Sequence, residues 1–125
     1  MAVYENRNDK RDWVIVGGLV PVHQFVKFGC HAMIGGGWRV PKDVPPYATA
    51  VGSPLKPVDV NKIGLERRGF NDEAIRTIRR AFKTLFRSDM DMTRALEALD
   101  NEGELGPEIE HLKAFIRTSE RGVIM

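Results

Sequence analysis

The sequence predicts a short parallel β-helix followed by an α-helical C-terminal domain. Three observations lead to this fold class: apolar residues recur at every sixth position in the first half, six of the seven prolines lie between Pro21 and Pro57, and helical spacing begins after residue 70. We therefore divide the chain into a non-matching N-terminal segment at 1–12, β-helix coils with an exit segment at 13–58, and an α-helical domain at 59–125.

The repeat consists of five apolar residues six positions apart: Val16, Val22, Phe28, Ile34 and Val40. A period of six fits neither an α-helix nor an alternating strand, and it is typical of the hexapeptide repeats of a parallel β-helix. Each repeat then forms one side of a triangular coil, with the recurring side chain stacked inward. A strand-rich sandwich with glycine turns is the alternative, and the continuous apolar run at 13–16 argues against it.

The limits of the repeat are also visible in the sequence. Lys10 stands where the next upstream apolar residue is due, so the repeat starts at about Trp13. After Val40, closely spaced prolines cannot donate ladder hydrogen bonds and are predicted to end regular coiling. Because solenoids generally need at least about three repeat units and five hexapeptides form fewer than two coils, we expect an oligomer.

Three helices are predicted in the second half. Asn71 is a good N-cap for the first helix, which should run to about Arg87. A second helix should open near Asp91 or Thr93, and Pro107 suits the first turn of a third. The side chains predicted to face inward are Ile75, Ile78, Phe82, Leu85, Ala95, Leu96, Leu99, Ile109, Leu112, Phe115 and Ile116.

Charge and composition exclude several classes of protein. The net charge is only +2, which does not indicate nucleic-acid binding, but residues 62–87 carry +5 and residues 88–125 carry −5. No stretch approaches the ~20 apolar residues of a membrane span, so we expect no membrane insertion. The single cysteine, Cys30, excludes an intrachain disulfide and fits a reducing compartment, with the cytoplasm as the expected localisation. Cys30, His31 and His111 form neither a metal set nor a nucleophile dyad.

Five motifs resemble the C-terminal half of the UDP-N-acetylglucosamine O-acyltransferases, the first enzymes of lipid A biosynthesis. His-Gln-Phe followed at this distance by Gly-Leu-x-Arg-Arg-Gly-Phe is the most specific combination, whereas the hexapeptide repeat and Val-Pro-Pro-Tyr occur in many acyltransferases. The resemblance covers the chain from about residue 13 onward, and its motifs stand at 16–25, 29–36, 43–47, 64–70 and 117–123.

The resemblance implies a fold, an assembly and a reaction. It implies a homotrimer of left-handed parallel β-helices with helical C-terminal domains, and active sites in clefts between subunits. The implied reaction moves a 3-hydroxyacyl chain from acyl carrier protein to the 3-hydroxyl of UDP-N-acetylglucosamine, without metal or redox cofactor. The family's catalytic histidine belongs to coils preceding the position of Trp13, so the chain resembles a truncated form and we assign it no catalytic residue.

The resemblance also implies substrate-binding residues. His23 would lie near the acyl and sugar groups and Gln24 near the nucleotide, while Asn61, Arg67 and Arg68 would bind the UDP moiety. Guanidinium groups suit diphosphate oxygens because one group can bind two oxygen atoms. Outside this context, a His-Gln pair and adjacent arginines are usually solvated surface residues. At position 63, where the family has a carboxylate that reads uracil, this sequence has an isoleucine.

Two further surfaces are expected. Gly36 stands where the family sets acyl length, so with Met33 it would line an open groove for a long acyl chain. The alternatives are coil geometry for Gly36 and core packing for Met33.

On the first predicted helix, cations spaced three or four residues apart would bind the acidic carrier protein, namely Arg76, Arg80 (or its neighbour Arg79), Lys83 and Arg87. A solvated face partly neutralised by the acidic tail is the alternative.

The sequence therefore predicts an acyltransferase of lipid A biosynthesis. The alternative is a noncatalytic module that binds nucleotide or carrier protein, or that only oligomerises. The base that the reaction needs is not identifiable among these residues, so the sequence supports family membership better than turnover.

Overall fold

The computed structural model describes residues 2–5, 13–16, 28–35, 40, 42–52, 54–120 and 122–125. Within these residues, strands come first and helices second. The strands are β1 (Ala2–Glu5), β2 (Trp13–Val16), β3 (Met33–Ile34), β4 (Ala48–Val51) and β5 (Lys56–Val60). The helices are α1 (Lys62–Arg67), α2 (Asp72–Phe86), α3 (Met92–Asn101) and α4 (Pro107–Thr118).

The strands form one sheet in the order β1-β2-β3-β4-β5. The three inner strands are parallel, while β1 and β5 flank them in antiparallel pairing. Ile15 pairs with Met33, so the chain returns to the neighbouring strand after the length of three hexapeptides. The next return, from Met33 to Thr49, is slightly shorter. Each parallel strand therefore returns to the sheet after about one predicted coil.

The sixfold apolar positions with described side chains face a common interior. Ile34 and Val40 are almost fully buried, and Phe28 packs against them half-buried. Val16 belongs to β2, opposite Ile34, whereas Val22 lies outside the described residues. The predicted inward packing is confirmed for Ile34 and Val40. The same cluster contains Ala32, Val44, Ala50, Leu55 and Ile124.

Regular pairing continues past the prolines that were predicted to end it. Val44 bridges in parallel to Phe28, and after two prolines β4 pairs in parallel with β3. Pro45 and Pro46 occupy a buried turn between these pairings, where their missing N–H groups interrupt no strand pairing. The ladder reverses only at β5, so the prediction that coiling ends after Val40 is wrong.

The C-terminal segment returns to the strand part beside Asp43. The Asp43 N–H donates to the Gly122 carbonyl at 3.0 Å, and the Ile124 N–H donates to the Asp43 carbonyl at 2.9 Å. The Asp43 side chain is 2% exposed and accepts a 2.6 Å hydrogen bond from the Ser119 hydroxyl. Hydrogen bonds from both backbone and side chain therefore attach the end of the chain to the strand part.

The three predicted helices are confirmed, as is the Asn71 cap, and Asp91 rather than Thr93 caps the second helix. The Asn71 side chain accepts a hydrogen bond from the Ala74 N–H at 2.8 Å, and the Asp91 side chain accepts one from the Arg94 N–H at 2.9 Å. Pro107 is in the first turn of α4. The inward side chains are buried as predicted, except that Phe115 is only half-buried.

Helix α1 was not predicted from the sequence. Its N-cap is Asn61, whose side chain accepts a hydrogen bond from the Gly64 N–H. A glycine inside such a short segment lowers helix propensity, and only Leu65 of this helix is buried, so no apolar periodicity marks it. The N-cap was the one signal that pointed to this helix.

One continuous core joins the strand part to the helices. The largest cluster contains Cys30, Tyr47, Ala48 and Val60 together with the buried faces of the helices. Because these side chains pack in one cluster, the helices lie directly on the strand part. None of the described helices is long and apolar enough to cross a membrane.

A charged network fastens α4 to α3. Lys113 is 4% exposed, and its Nζ lies 2.8 Å from carboxylate oxygens of both Asp100 and Glu110. Arg117 binds the other Asp100 oxygen. Hydrogen bonds from Arg117 and Lys113 lower the pKa of Asp100, and hydrogen bonds to Asp100 and Glu110 raise the pKa of Lys113. Part of the acidic charge in the C-terminal segment is therefore used to join two helices.

Candidate functional site

The predicted arginine pair lies at the C-terminal end of α1. Arg67 is the last helical residue and Arg68 is the C-cap, and both are exposed. Gly69 follows with a φ of 88°, a left-handed conformation that favours glycine, and it redirects the chain toward Phe70. Two adjacent arginines thus lie at a tight turn, and their guanidinium groups have enough donors to bind the oxygens of a diphosphate.

Asn61 lies at the opposite end of α1 and is 6% exposed. Its Oδ1 accepts from the Gly64 N–H at 3.2 Å, and its Nδ2 donates to the His31 carbonyl at 3.0 Å. Its backbone N–H donates to the Tyr47 carbonyl at 2.7 Å. The predicted nucleotide contact is therefore a buried residue that joins α1 to the coils.

The corner beneath α1, just before β3 and β4, is built from two residues in left-handed conformations. His31 has a φ of 57° and Tyr47 a φ of 67°, and their rings stack with centroids 6.1 Å apart. Phe70 packs edge-on against His31 at 5.1 Å, and His111 of α4 lies edge-on to Tyr47 at 6.3 Å. These aromatic contacts bring Phe70, just after α1, and part of α4 to the corner that the hydrogen bonds of Asn61 attach to the start of α1.

Ile63 is an exposed isoleucine on the same helix as the arginine pair. Its side chain is 65% exposed and lies one helical turn before Arg67. An apolar side chain accepts no hydrogen bond, so this position offers no carboxylate to a nucleobase. The isoleucine that stands in place of the family's carboxylate therefore lies on an accessible surface beside the predicted diphosphate site.

The acyl-groove residues are described only in part. Met33 lies in β3 and is half-buried, whereas its neighbour Ile34 is in the coil interior. Because successive strand side chains point to opposite faces, Met33 faces away from that interior. Gly36, His23 and Gln24 lie outside the described residues.

The predicted cationic face lies on the exposed side of α2. Arg76, Arg80, Lys83 and Arg87 are all exposed, whereas Phe82 and the other inward residues face the core. Arg80 lies 3.5 Å from the carboxylate of Glu102, so the acidic tail does pair with part of this face.

A cleft of about 230 Å³ opens between β5 and the C-terminal half of α2. Its polar lining contains Arg79, whose Nε lies 3.3 Å from the Asp59 carboxylate, and Arg87, which donates to the Val58 carbonyl. Its other lining residues are Val58, Phe82 and Lys83. Two of the predicted carrier-binding cations therefore lie at one cleft with a partly exposed apolar floor.

Sequence reasoning missed two side chains of this cleft and left a third undecided. Val58 and Asp59 belong to a strand that pairs antiparallel with β4, and no local motif shows that this strand faces α2. Arg79 and Arg80 fit the cationic spacing equally well in sequence. In the structure Arg79 lines the cleft, while Arg80 is directed toward Glu102.

Comparison with protein families gives one clear match. A family profile described as UDP-N-acetylglucosamine O-acyltransferase, domain 2, matches residues 43–124. This range includes β4, β5 and all four helices described above.

Individual relatives agree with that match. An acyl-[acyl-carrier-protein]–UDP-N-acetylglucosamine O-acyltransferase of Janthinobacterium sp. (strain Marseille) is 42% identical over 117 residues, covering 90% of this chain and 45% of the relative. The corresponding enzyme of Myxococcus xanthus (strain DK1622) is 45% identical over 112 residues, covering 90% and 43%. The chain thus spans somewhat less than half the length of these relatives.

Solved structures show the same similarity. A UDP-N-acetylglucosamine acyltransferase from Bacteroides fragilis 9343 superposes with a TM-score of 0.86 at 41% identity, covering 90% of this chain and 44% of that one. The Arabidopsis enzyme superposes with a TM-score of 0.83 at 30% identity, covering 90% and 42%.

Proposed function

Because this chain belongs to the UDP-N-acetylglucosamine O-acyltransferase family, we propose that it serves lipid A biosynthesis by binding UDP-N-acetylglucosamine and a 3-hydroxyacyl carrier protein for acyl transfer. The observation that carries the proposal is the arginine pair, Arg67 and Arg68, at the end of a helix fixed to the coils. The cytoplasm is the compartment in which such a carrier protein and nucleotide sugar meet.

The fold proposed for the strand part is a left-handed parallel β-helix, assembled as a homotrimer. Parallel strands that recur after about one coil support this fold, as does the interior formed at the sixfold positions. A trimer would bury the sides of these few coils and form binding clefts between copies.

In the proposed site, the two guanidinium groups bind the diphosphate and leave the sugar directed toward the coils. His23 then contacts the acyl and sugar groups, and Gln24 contacts the nucleotide. Met33 and Gly36 line the groove for the acyl chain, where glycine leaves room for a long chain. Asn61 belongs to the same site through α1.

In the proposed reaction, the sugar 3-hydroxyl oxygen attacks the thioester carbonyl carbon of the acyl carrier protein. The new C–O ester bond forms, the C–S bond breaks, and the thiol of the carrier leaves. A general base takes the hydroxyl proton, and that proton is delivered to the departing sulfur. No residue of this chain is assigned the role of base.

Replacing Arg68 with alanine tests the nucleotide site. We expect this variant to bind UDP-N-acetylglucosamine about 10- to 100-fold more weakly, because charge-assisted hydrogen bonds contribute about 1.5–3 kcal/mol each. Isothermal titration calorimetry measures the affinity. The matched control is Arg94→Ala on α3, whose exposed side chain makes only a long 3.9 Å contact with Asp91. If the two variants bound UDP-N-acetylglucosamine with equal affinity, the arginine pair would not be part of the nucleotide site.

An acyl-transfer assay separates the enzyme from a binding module. The chain is incubated with 3-hydroxyacyl carrier protein and UDP-N-acetylglucosamine, and the acylated sugar nucleotide is measured, with His23→Ala as the control. Formation of the acylated sugar nucleotide by the unmodified chain, but not by His23→Ala, supports catalysis. UDP binding that is lost in Arg68→Ala, without product from the unmodified chain, supports the noncatalytic module.

The exposed cations of α2 are proposed to bind the acidic carrier protein. Lys83 and Arg87 lie at the cleft described above, and Arg76 and Arg80 continue the same face toward the start of the helix. Opposite charges on two such surfaces accelerate association and favour one docking orientation.

Reversing the charge of Lys83 tests this surface. We expect Lys83→Glu to weaken binding of an acyl carrier protein about tenfold at low ionic strength, with a smaller effect at about 0.5 M salt because screening shortens the range of exposed charges. Surface plasmon resonance at both salt concentrations measures the affinity. Arg94→Glu adds the same negative charge on α3 and should change it less than about twofold. A salt-independent loss, or equal losses in both variants, would contradict the proposed surface.

A further inference from the structure

Resting on the nucleotide-sugar function proposed above, we propose that Asn61 is a positioning residue that fixes the arginine pair through the His31 corner. The side-chain contacts of Asn61 are internal: both ends of its amide are bound within the chain, and the residue is 6% exposed. It therefore acts on a ligand through the helix that it begins.

Asn61 connects α1 to the coils at two points. Its side-chain Nδ2 reaches the carbonyl of His31, and its backbone N–H reaches the carbonyl of Tyr47. His31 and Tyr47 are separated along the chain by the same offset as the paired residues Met33 and Thr49 of β3 and β4, and both have positive φ. Asn61, which begins α1, is thus bound to two successive coils at their common corner.

Gly64 makes this close approach possible. A Cβ atom at position 64 would lie 2.3 Å from the Asn61 Nδ2 atom, well inside any contact distance. The glycine that weakens α1 as a helix therefore provides the space in which the Asn61 amide lies. This accounts for a glycine in the middle of a very short helix.

The other end of α1 is held at the same corner. The Phe70 N–H donates to the Leu65 carbonyl at 3.1 Å, and the Phe70 ring packs against the rings of His31 at 5.1 Å and Tyr47 at 6.4 Å. Arg67 and Arg68 lie between this anchor and the Asn61 anchor. So short a helix is unstable by itself, and these two anchors therefore determine where the arginines are held.

The test compares Asn61→Ser with Asn71→Ser. Both asparagines are helix N-caps, and serine also caps helices, so each variant retains a cap. Only Asn61→Ser removes a hydrogen bond to the coils. Titration with UDP measures the affinity, and thermal unfolding measures the stability.

We expect Asn61→Ser to weaken UDP binding about tenfold and Asn71→Ser less than about twofold, because a displaced donor pair loses aligned charge-assisted bonds. In an Arg67→Ala/Arg68→Ala background, Asn61→Ser should cause little further loss, since both groups that it positions are gone. An equal further loss in that background would indicate direct ligand contact by Asn61 and overturn the inference. Equal affinities of the two serine variants would also overturn it.

His31→Asn provides a second variant if Asn61→Ser does not fold. Asparagine tolerates the left-handed conformation but lacks the ring that packs on Phe70. We expect it to weaken UDP binding with the same dependence on the arginine pair, and unchanged affinity would contradict the positioning role. Absence of UDP binding by the unmodified chain would reject the proposed function itself and this inference with it, whereas normal binding by all variants would reject the inference alone.

Discussion

Replacing Gly29 with alanine is expected to destabilise the chain by about 3 kcal/mol, the upper range for an overpacked site. A Cβ at this position would lie 2.2 Å from the backbone nitrogen and 2.5 Å from the Cα of Pro46. The clashing atoms are backbone atoms of the next coil, which cannot move aside as a flexible side chain would. Relief therefore requires separation of the coils or loss of the 2.8 Å hydrogen bond from the Gly29 N–H to the Val44 carbonyl.

Urea unfolding followed by circular dichroism measures this effect. Gly103→Ala is the control, because nothing lies within 4 Å of its Cβ position although its φ of 86° is left-handed. That conformation should cost alanine about 1 kcal/mol. If Gly29→Ala were no more destabilising than Gly103→Ala, the coils could not be stacked as closely as the structure places them.

Truncating Ile34 is the second change with a large expected effect. Ile34→Ala should reduce the free energy of unfolding by about 3 kcal/mol, since an isoleucine that is 1% exposed leaves a cavity among packed neighbours. Its neighbours in the interior cluster include Val44 and Ala50, which follow it by less than one coil. The loss tests whether sixfold spacing really directs side chains inward.

Ile63→Ala is a control with the same change of side chain. Ile63 is 65% exposed on α1, so its truncation should alter the free energy of unfolding by less than about 0.5 kcal/mol. The same denaturant titration serves both variants. Similar losses in the two variants would place Ile34 outside a packed interior and refute the sixfold assignment.

The helices could be predicted because their signals are local. Asn71, Asp91 and Pro107 mark the starts of α2, α3 and α4, and the apolar spacing that follows each start matches the buried face. The sixfold period likewise predicted that Ile34 and Val40 face inward, without knowledge of what lies opposite them. Caps and periodicity depend on neighbouring residues, so one sequence is sufficient to reveal them.

The features that escaped prediction depend on contacts between distant residues. The short helix α1 exists because Asn61 reaches the carbonyl of His31 in a distant part of the chain, and its glycine looked unfavourable without that contact. Asp43 and Ser119 are farther apart still in sequence, and they meet only after the C-terminal segment returns to the coils. No local pattern shows such pairs.

The candidate site shows the same division. Adjacent arginines are visible in the sequence, and their position at the end of a fixed helix is a product of tertiary contacts. The choice between Arg79 and Arg80 was undecidable from helical spacing, and it depended on Asp59 and Glu102 in other elements.

A crystal structure of the chain with UDP-N-acetylglucosamine tests the central claim most directly. We predict parallel pairing of Ile15 with Met33 and of Met33 with Thr49, and diphosphate oxygens bound by Arg67 and Arg68 beside the coil corner. Helical backbone at β3 or β4, antiparallel pairing between β2 and β3 or between β3 and β4, or a ligand bound away from α1 would contradict the account.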